Sequence, residues 1–180
     1  LAADDPGIPS EAVLHFPGGV AEYLRAALAD RPALIPQPFA GEAELAGGAG
    51  RLEWAVAWPM DESGFFTSYC NTVPTPQGGT HGAGFRSALT RGIKAYGELV
   101  KDRDADKLLP EDVVSGACVM LSVFLREPQF QGQTKEKLTS PEAARLVEAT
   151  VRDHFDHWLS AAPAIAGALL AVRVSSTRIG

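Results

Sequence analysis

Cysteine is scarce in this chain, with Cys70 and Cys118 the only two. Two isolated thiols neither frame a disulfide-stapled secreted scaffold nor build a structural zinc site, and they fit a reducing compartment. Basic charge is in deficit: 16 Lys and Arg stand against 22 Asp and Glu, for a net charge of -6. A free-standing, non-specific DNA binder is usually basic, so any nucleic-acid contact here must be a local patch. No apolar run approaches the length of a membrane span. The opening Leu1-Ala2-Ala3-Asp4-Asp5 has neither the basic region nor the apolar core of a signal peptide. An initiator Met is also missing, from which we expect a fragment of something longer. Internal repeats are absent, and although Gly 18 and Pro 13 make the chain turn-rich, they follow no period.

What remains is an ordinary globular composition. The 180 residues are 46% hydrophobic and 21% charged, enough for one domain with a real core. Residues 1–12 read as a linker or frayed arm and 13–180 as the single domain. A short strand is expected at 12–16, a short helix at 20–29 and a proline-rich loop at 31–39. Residues 39–45 form a weak strand. Residues 52–58 alternate, with Leu52, Trp54, Val56 and Trp58 on one face and Glu53, Ala55 and Ala57 on the other. Residues 65–73 read as a further strand, and the polar segment 61–64 suggests that it forms a hairpin with 52–58. A long helix is expected at 80–100, with Phe85, Leu89, Ile93, Tyr96 and Val100 in a stripe roughly 80° wide. Arg86, Arg91, Lys94 and Lys101 take its other side. A charged loop at 102–110 leads to the strongest strand, within 115–126, apolar on both faces and therefore central. Ser140-Pro141-Glu142 is a strong helix start, with Ser as N-cap. That helix carries Ala144, Val147, Val151, Phe155 and Trp158 on its apolar side. Pro163 opens a last, Ala-rich helix. Strands first, then helix, strand and two helices make the class α+β.

Several places offer chemistry. The glycine-rich turn at 78–84, between strand and helix, is the kind that lets backbone approach a phosphate. Its Gly82-x-Gly84-x-x-Ser87 mimics a dinucleotide fingerprint, but no acidic residue closes the next strand and no Gly-Lys-Ser/Thr follows. A tight turn with close helix–sheet packing explains the same glycines. The polar loop at 127–138 brings Gln, Thr and Lys donors together, which suits phosphate oxygens, although a solvated loop has the same composition. His154 and His157 stand one helical turn apart beside Asp153 and Asp156, but no third metal ligand is visible. A half-buried core histidine next to a surface one is the simpler account. Cys118 lies mid-strand in an apolar run and reads as packing rather than as a nucleophile.

Three segments together are specific. Ser68-Tyr69-Cys70-Asn71-Thr72-Val73-Pro74-Thr75-Pro76-Gln77-Gly78-Gly79-Thr80-His81 leads into Gly84-Phe85-Arg86-Ser87-Ala88-Leu89-Thr90-Arg91. Leu121-Ser122-Val123 then precedes Pro128-Gln129-Phe130-Gln131-Gly132-Gln133-Thr134-Lys135-Glu136-Lys137-Leu138. This pattern resembles the transducer domain in the B subunits of bacterial type IIA DNA topoisomerases. Pro74-Thr75-Pro76-Gln77 and His15-Phe16-Pro17-Gly18-Gly19 resemble the topoisomerase IV branch more than gyrase. The resemblance implies a fold like the second domain of ribosomal protein S-five: a mainly antiparallel sheet, a left-handed βαβ crossover and C-terminal helices. It implies that Gln133 and Lys135 reach the γ-phosphate of ATP in a neighbouring ATPase domain, and that Arg86 and Arg91 line a DNA cavity. It further implies ATP and Mg2+ as cofactors of the intact enzyme, held elsewhere in the full-length protein. The implied partners are that ATPase domain, a metal-binding cleavage module, the A subunit and DNA, in the bacterial cytoplasm at the nucleoid. No catalytic residue and no metal site are expected within the chain, so the isolated domain is expected to be inactive. The alternative reading is a small phosphate-ligand enzyme or binding module using the 78–84 turn.

Overall fold

A computed structural model describes residues 19–28, 38–59, 64–71, 73–108, 110–131 and 137–179. The expected arm at 1–12 and strand at 12–16 lie outside these residues, as do Gln133 and Lys135. A five-stranded mixed sheet organises the rest, with strands β1 (Phe39–Glu44), β2 (Gly50–Ala57), β3 (Phe65–Cys70), β4 (Val73–Pro74) and β5 (Cys118–Leu125). Their spatial order is β1-β2-β5-β3-β4. All neighbours are antiparallel except β3 and β5, which run parallel. The architecture is α+β, as expected, and β5 is central.

The expected hairpin between 52–58 and 65–73 is not made. β5 separates the two strands, pairing antiparallel with β2 and parallel with β3. The physical reason lies in β5 itself. Val119, Leu121 and Val123 point to one side and Cys118 and Met120 to the other, and all five are fully buried. Such a strand needs neighbours on both edges as well as cover on both faces. The strand expected to reach residue 73 breaks at Asn71, which takes a left-handed φ of 49°. Its side chain continues the ladder instead. The amide Nδ2 donates to the Leu125 carbonyl at 2.9 Å, and Oδ1 accepts from the Leu125 N–H at 2.8 Å.

The larger core lies on the face carrying Leu52, Trp54, Val56 and Trp58, as the alternation requires. It is covered by α2 (Thr80–Leu99), α4 (Pro141–Ala161) and α5 (Pro163–Ile179). Phe39, Trp54, Phe155 and Trp158 form its aromatic centre, with Phe39 5.0 Å from Phe155 and 5.3 Å from Trp158 between ring centroids. The opposite face is covered by α1 (Gly19–Ala27), whose Val20 and Leu24 sit on Ala55, Ala57, Tyr69, Cys118 and Met120. Glu53 belongs to this side for a reason: its carboxylate accepts the Val20 N–H at 2.8 Å, satisfying a donor in the first turn of α1.

α2 and α4 make the most extensive helix–helix contact in the fold. Both bury every fourth residue along one line: Gly84, Ala88 and Gly92 in α2, and Ala143, Val147, Val151, Phe155 and Leu159 in α4. Ridges of this spacing interdigitate. A Cβ on Gly84 would strike the Ala144 carbonyl, and one on Gly92 would meet the Phe155 ring. Each helical glycine costs about 1 kcal/mol in propensity, offset here by close approach of the helices. A line of every fourth residue drifts by about 40° per step. That drift explains why His154, expected to be the half-buried histidine of the pair, is exposed like His157. Its ring meets the Trp54 ring edge-on at 5.0 Å. Val100 likewise falls past the end of α2 and is exposed. The expected charged loop at 102–110 holds a 3-10 turn, Arg103–Lys107, and the start of a short helix, α3 (Pro110–Val114). The Trp58 indole N–H donates to the Val113 carbonyl at 3.0 Å and fixes α3 to β2. Among the described residues no helix is long and apolar enough to cross a membrane.

Candidate functional site

The polar loop of the sequence leaves and re-enters the domain through a two-stranded ribbon, β6 (Phe130–Gln131) and β7 (Lys137–Leu138), paired Phe130 with Leu138 and Gln131 with Lys137. Residues 132–136, with Gln133 and Lys135, lie between these stems and outside the described residues. The ribbon's base is tied at three points. The Gln129 N–H donates to Ser140 Oγ at 2.8 Å, and the Thr139 N–H donates to the Gln129 carbonyl at 2.7 Å. Ser140 does occupy the N-cap position of α4, but its hydroxyl makes no cap bond to the helix, being committed to Gln129. The third tie joins β7 to the glycine turn: the Leu138 N–H donates to the Gly78 carbonyl at 3.1 Å, and Leu138 bridges Gly79 in parallel.

That turn is packed against protein at two of its glycines, Gly79 and Gly84. Gly79 has a φ of 140°, and a Cβ there would strike the Leu138 backbone. The glycines at 79 and 84 therefore admit β7 and α4, so at these two positions the backbone is turned to protein rather than to a phosphate. The close-packing account fits the geometry.

Behind the turn sits a buried polar network. The Thr75 hydroxyl donates to the Ser68 carbonyl at 2.9 Å and lies 2.7 Å from Ser68 Oγ and 3.1 Å from His81 Nε2. The Thr75 N–H donates to the Ser68 carbonyl, and the Gly78 N–H to the Thr75 carbonyl. His81 is fully buried, and its Nδ1 has no partner among the described residues. The Thr75 proton is spent on Ser68, so Nε2 is the donor to Thr75 and Nδ1 carries an idle lone pair. The other tautomer would bury an N–H without an acceptor, the costlier defect. Burial, followed by the nearby Arg86 charge, pushes the His81 pKa down to about 4, so the ring is neutral at physiological pH.

Arg86 and Arg91 do not form one patch. Five residues apart, they diverge by about 140° around α2. Arg86 lies half-buried with its guanidinium 4.1 Å from the Phe66 ring centroid, and burial lowers its pKa. Arg91 is exposed on the α4 side and pairs with Glu148 at 2.7 Å. It borders a groove of about 470 Å3 where Arg91, Arg145 and Arg152 are matched by Glu148, Asp153 and Asp156. Balanced charge of this kind gives no strong pull on a polyanion. Among the described residues no cluster of three or more His, Cys, Asp or Glu is placed to hold a metal ion. Both cysteines are buried and unbridged, in keeping with packing. Reading the sequence missed the Ser68–Thr75–His81 network, the ladder made by Asn71 and the small-residue line in α2. Gly84, Ala88 and Gly92 at a spacing of four were the available signal for the last.

Known proteins resemble this chain in both sequence and fold. The family model described as DNA gyrase B matches residues 19–178. The B subunit of DNA topoisomerase 4 from Caulobacter vibrioides is 51% identical over 166 residues, covering 90% of this chain and 24% of that protein. The chain thus spans about a quarter of the length of the curated relatives it matches. A solved topoisomerase IV ATP-binding domain from Francisella tularensis, in complex with a small-molecule inhibitor, superposes with a TM-score of 0.75 at 30% identity, over 92% of this chain and 44% of that one. The B subunit of DNA gyrase from Myxococcus xanthus superposes with a TM-score of 0.74 at 28% identity, over 87% of this chain and 49% of that one.

Proposed function

Because the chain belongs to the DNA gyrase B family, we propose that it is the energy-transducing domain of the B subunit of a bacterial type IIA DNA topoisomerase, an ATP-dependent isomerase of the topoisomerase IV kind. Residues 13–180 form that domain within a longer subunit. Its neighbours in this reading are an ATPase domain and a metal-binding cleavage module of the same polypeptide, together with the A subunit and DNA, in the cytoplasm at the nucleoid. The relatives named for topoisomerase 4 support the branch.

The observation that carries the reading is the anchored ribbon. A polar loop bearing Gln133 and Lys135 springs from stems tied to both the start of α2 and the start of α4. An amide and an ammonium suit the oxygens of a terminal phosphate. The intact enzyme's ATP supplies that phosphate; adenine, ribose and Mg2+ are held by the ATPase domain, and the donors present here fit only the phosphate end. Lys135 has this ligand before hydrolysis and lacks it afterwards. Only such differential contact can bias a conformational equilibrium. Tied stems then pass the bias to α2 and α4, which move as one body with the sheet. Arg86, half-buried on Phe66, and Arg91, paired with Glu148, line the DNA cavity in this scheme from separate sides of α2, and Arg91 would have to exchange Glu148 for a DNA phosphate.

Lys135→Ala in the intact subunit tests it. Loss of a charge-assisted contact to developing phosphate charge is worth about 3 kcal/mol, or roughly a hundredfold in ATP hydrolysis. ATP-driven strand passage is expected to fall with it while the thermal unfolding midpoint stays put. Unchanged hydrolysis would remove the basis for the role.

A further inference from the structure

We propose that His81 is a positioning residue for the loop at 132–136: through Thr75 and Ser68 it holds the glycine turn to which β7 is bonded, and so sets where the loop's returning stem leaves the domain. The proposal rests on the phosphate-sensing reading of Gln133 and Lys135 and names a part of that device which does not itself touch nucleotide.

The chain of contacts is short. His81 Nε2 meets the Thr75 hydroxyl at 3.1 Å, and that hydroxyl donates to the Ser68 carbonyl on β3 at 2.9 Å. The Thr75 carbonyl accepts the Gly78 N–H at 2.8 Å, and the Gly78 carbonyl accepts the Leu138 N–H at 3.1 Å. Leu138 is fully buried and is the last residue of β7. Each link is either a backbone bond or a buried side chain. Gly79 presses directly on the Leu138 backbone, so a shift of the turn is a shift of β7. A fully buried histidine with one ring nitrogen idle is an expensive choice for packing alone, since an aromatic hydrocarbon would fill the space without an orphaned polar atom. Among the described residues its Nε2 bonds Thr75 alone. The depressed basicity of the ring serves the same end: neutral His81 keeps one tautomer and one partner at working pH.

The test uses the intact subunit. His81→Phe keeps ring volume and removes Nε2, while Thr75→Val keeps shape and removes the hydroxyl. Each is expected to lower kcat and kcat/KM for ATP hydrolysis together by roughly five- to tenfold, as for an interaction realised in the transition state. The Kd and binding stoichiometry for ADP, which lacks the γ-phosphate, are expected to stay unchanged. A merely structural defect would instead cut ADP stoichiometry. The double variant is expected to be no worse than the poorer single one, because both act through the same contact. His81→Gln, whose amide donates in place of Nε2, is expected to restore most of the loss. If His81→Phe does not fold, Thr75→Val and His81→Gln decide the matter. Wild-type kcat in folded His81→Phe or Thr75→Val, or an ADP affinity that falls in step with kcat, overturns the proposal. Lys135→Ala run alongside separates the two ideas. If it alone is impaired, the phosphate-sensing reading stands and the role of His81 falls; if it too is unimpaired, that reading has failed.

Discussion

One side chain, His81, makes this fold sensitive to acid, and its share of the effect can be isolated. Buried His81 resists protonation until about pH 4 in the native state, through burial first and the Arg86 charge second, whereas the unfolded chain protonates it near 6.5. Between those values the unfolded state binds more protons, so stability is complete above pH 6.5 and drains away as the pH falls towards 4. The slope approaches 1.4 kcal/mol per pH unit at most, and the loss between pH 7 and 4.5 is about 2.5 kcal/mol. Domains of this size are stable by about 5–15 kcal/mol, so the loss is a substantial share. Urea unfolding followed by circular dichroism at stepped pH measures it. The comparison is with His81→Gln, which cannot titrate. Other groups contribute equally to both proteins, so the difference between the two stability–pH curves belongs to His81. We expect the wild-type curve to fall below a constant offset from the variant as pH drops, by about 2.5 kcal/mol at pH 4.5. Parallel curves would refute both the neutral state and the burial reasoning behind it.

Gly79→Ala is expected to destabilise the domain by about 3 kcal/mol, from backbone strain and collision with Leu138, while Gly78→Ala, whose Cβ meets open space at a φ of 74°, is expected to cost about 1 kcal/mol; paired urea titrations compare them. Asn71→Ala removes two bonds to Leu125 and leaves an alanine in the left-handed region, for a loss of about 2 kcal/mol in the same assay. The purified chain is expected to hydrolyse no ATP in a phosphate-release assay, since Gln133 and Lys135 are donors for one phosphate and the rest of the nucleotide is held by the ATPase domain in the proposed scheme; robust turnover would sink the functional assignment.

Strand and helix identities were legible wherever periodicity was strong. The alternation of Leu52, Trp54, Val56 and Trp58 named the core face of β2, and the two-sided apolarity of β5 named it as central. Pairing was not legible, because a short polar connection favours a hairpin and carries no sign of a strand arriving later from elsewhere. Periodicity also misplaced His154, since one fixed stripe for the whole helix does not follow a ridge that drifts by about 40° at every fourth residue. The glycine turn and the Gln-Thr-Lys loop were visible as motifs. What joins them, a hydroxyl on Thr75 and a nitrogen on His81, depends on three-dimensional placement that no local pattern encodes.

The insertion of β5 between β2 and β3 also governs the order in which this chain can be built. β1 and β2 are joined by a short turn and can pair as soon as both are synthesised. β3 has only the two-residue β4 as a local neighbour. Its long edge, like the free edge of β2, has to wait until α2, α3 and the whole of β5 have emerged. Closing so distant a pairing is slow, because chain entropy is lost before any contact rewards it. Until then two apolar strand edges stand open, which is the condition under which nascent chains pair wrongly or aggregate. The central strand that completes the sheet is therefore also its late-arriving keystone, and substitutions that weaken β5 are expected to harm folding yield as well as the stability of the finished domain.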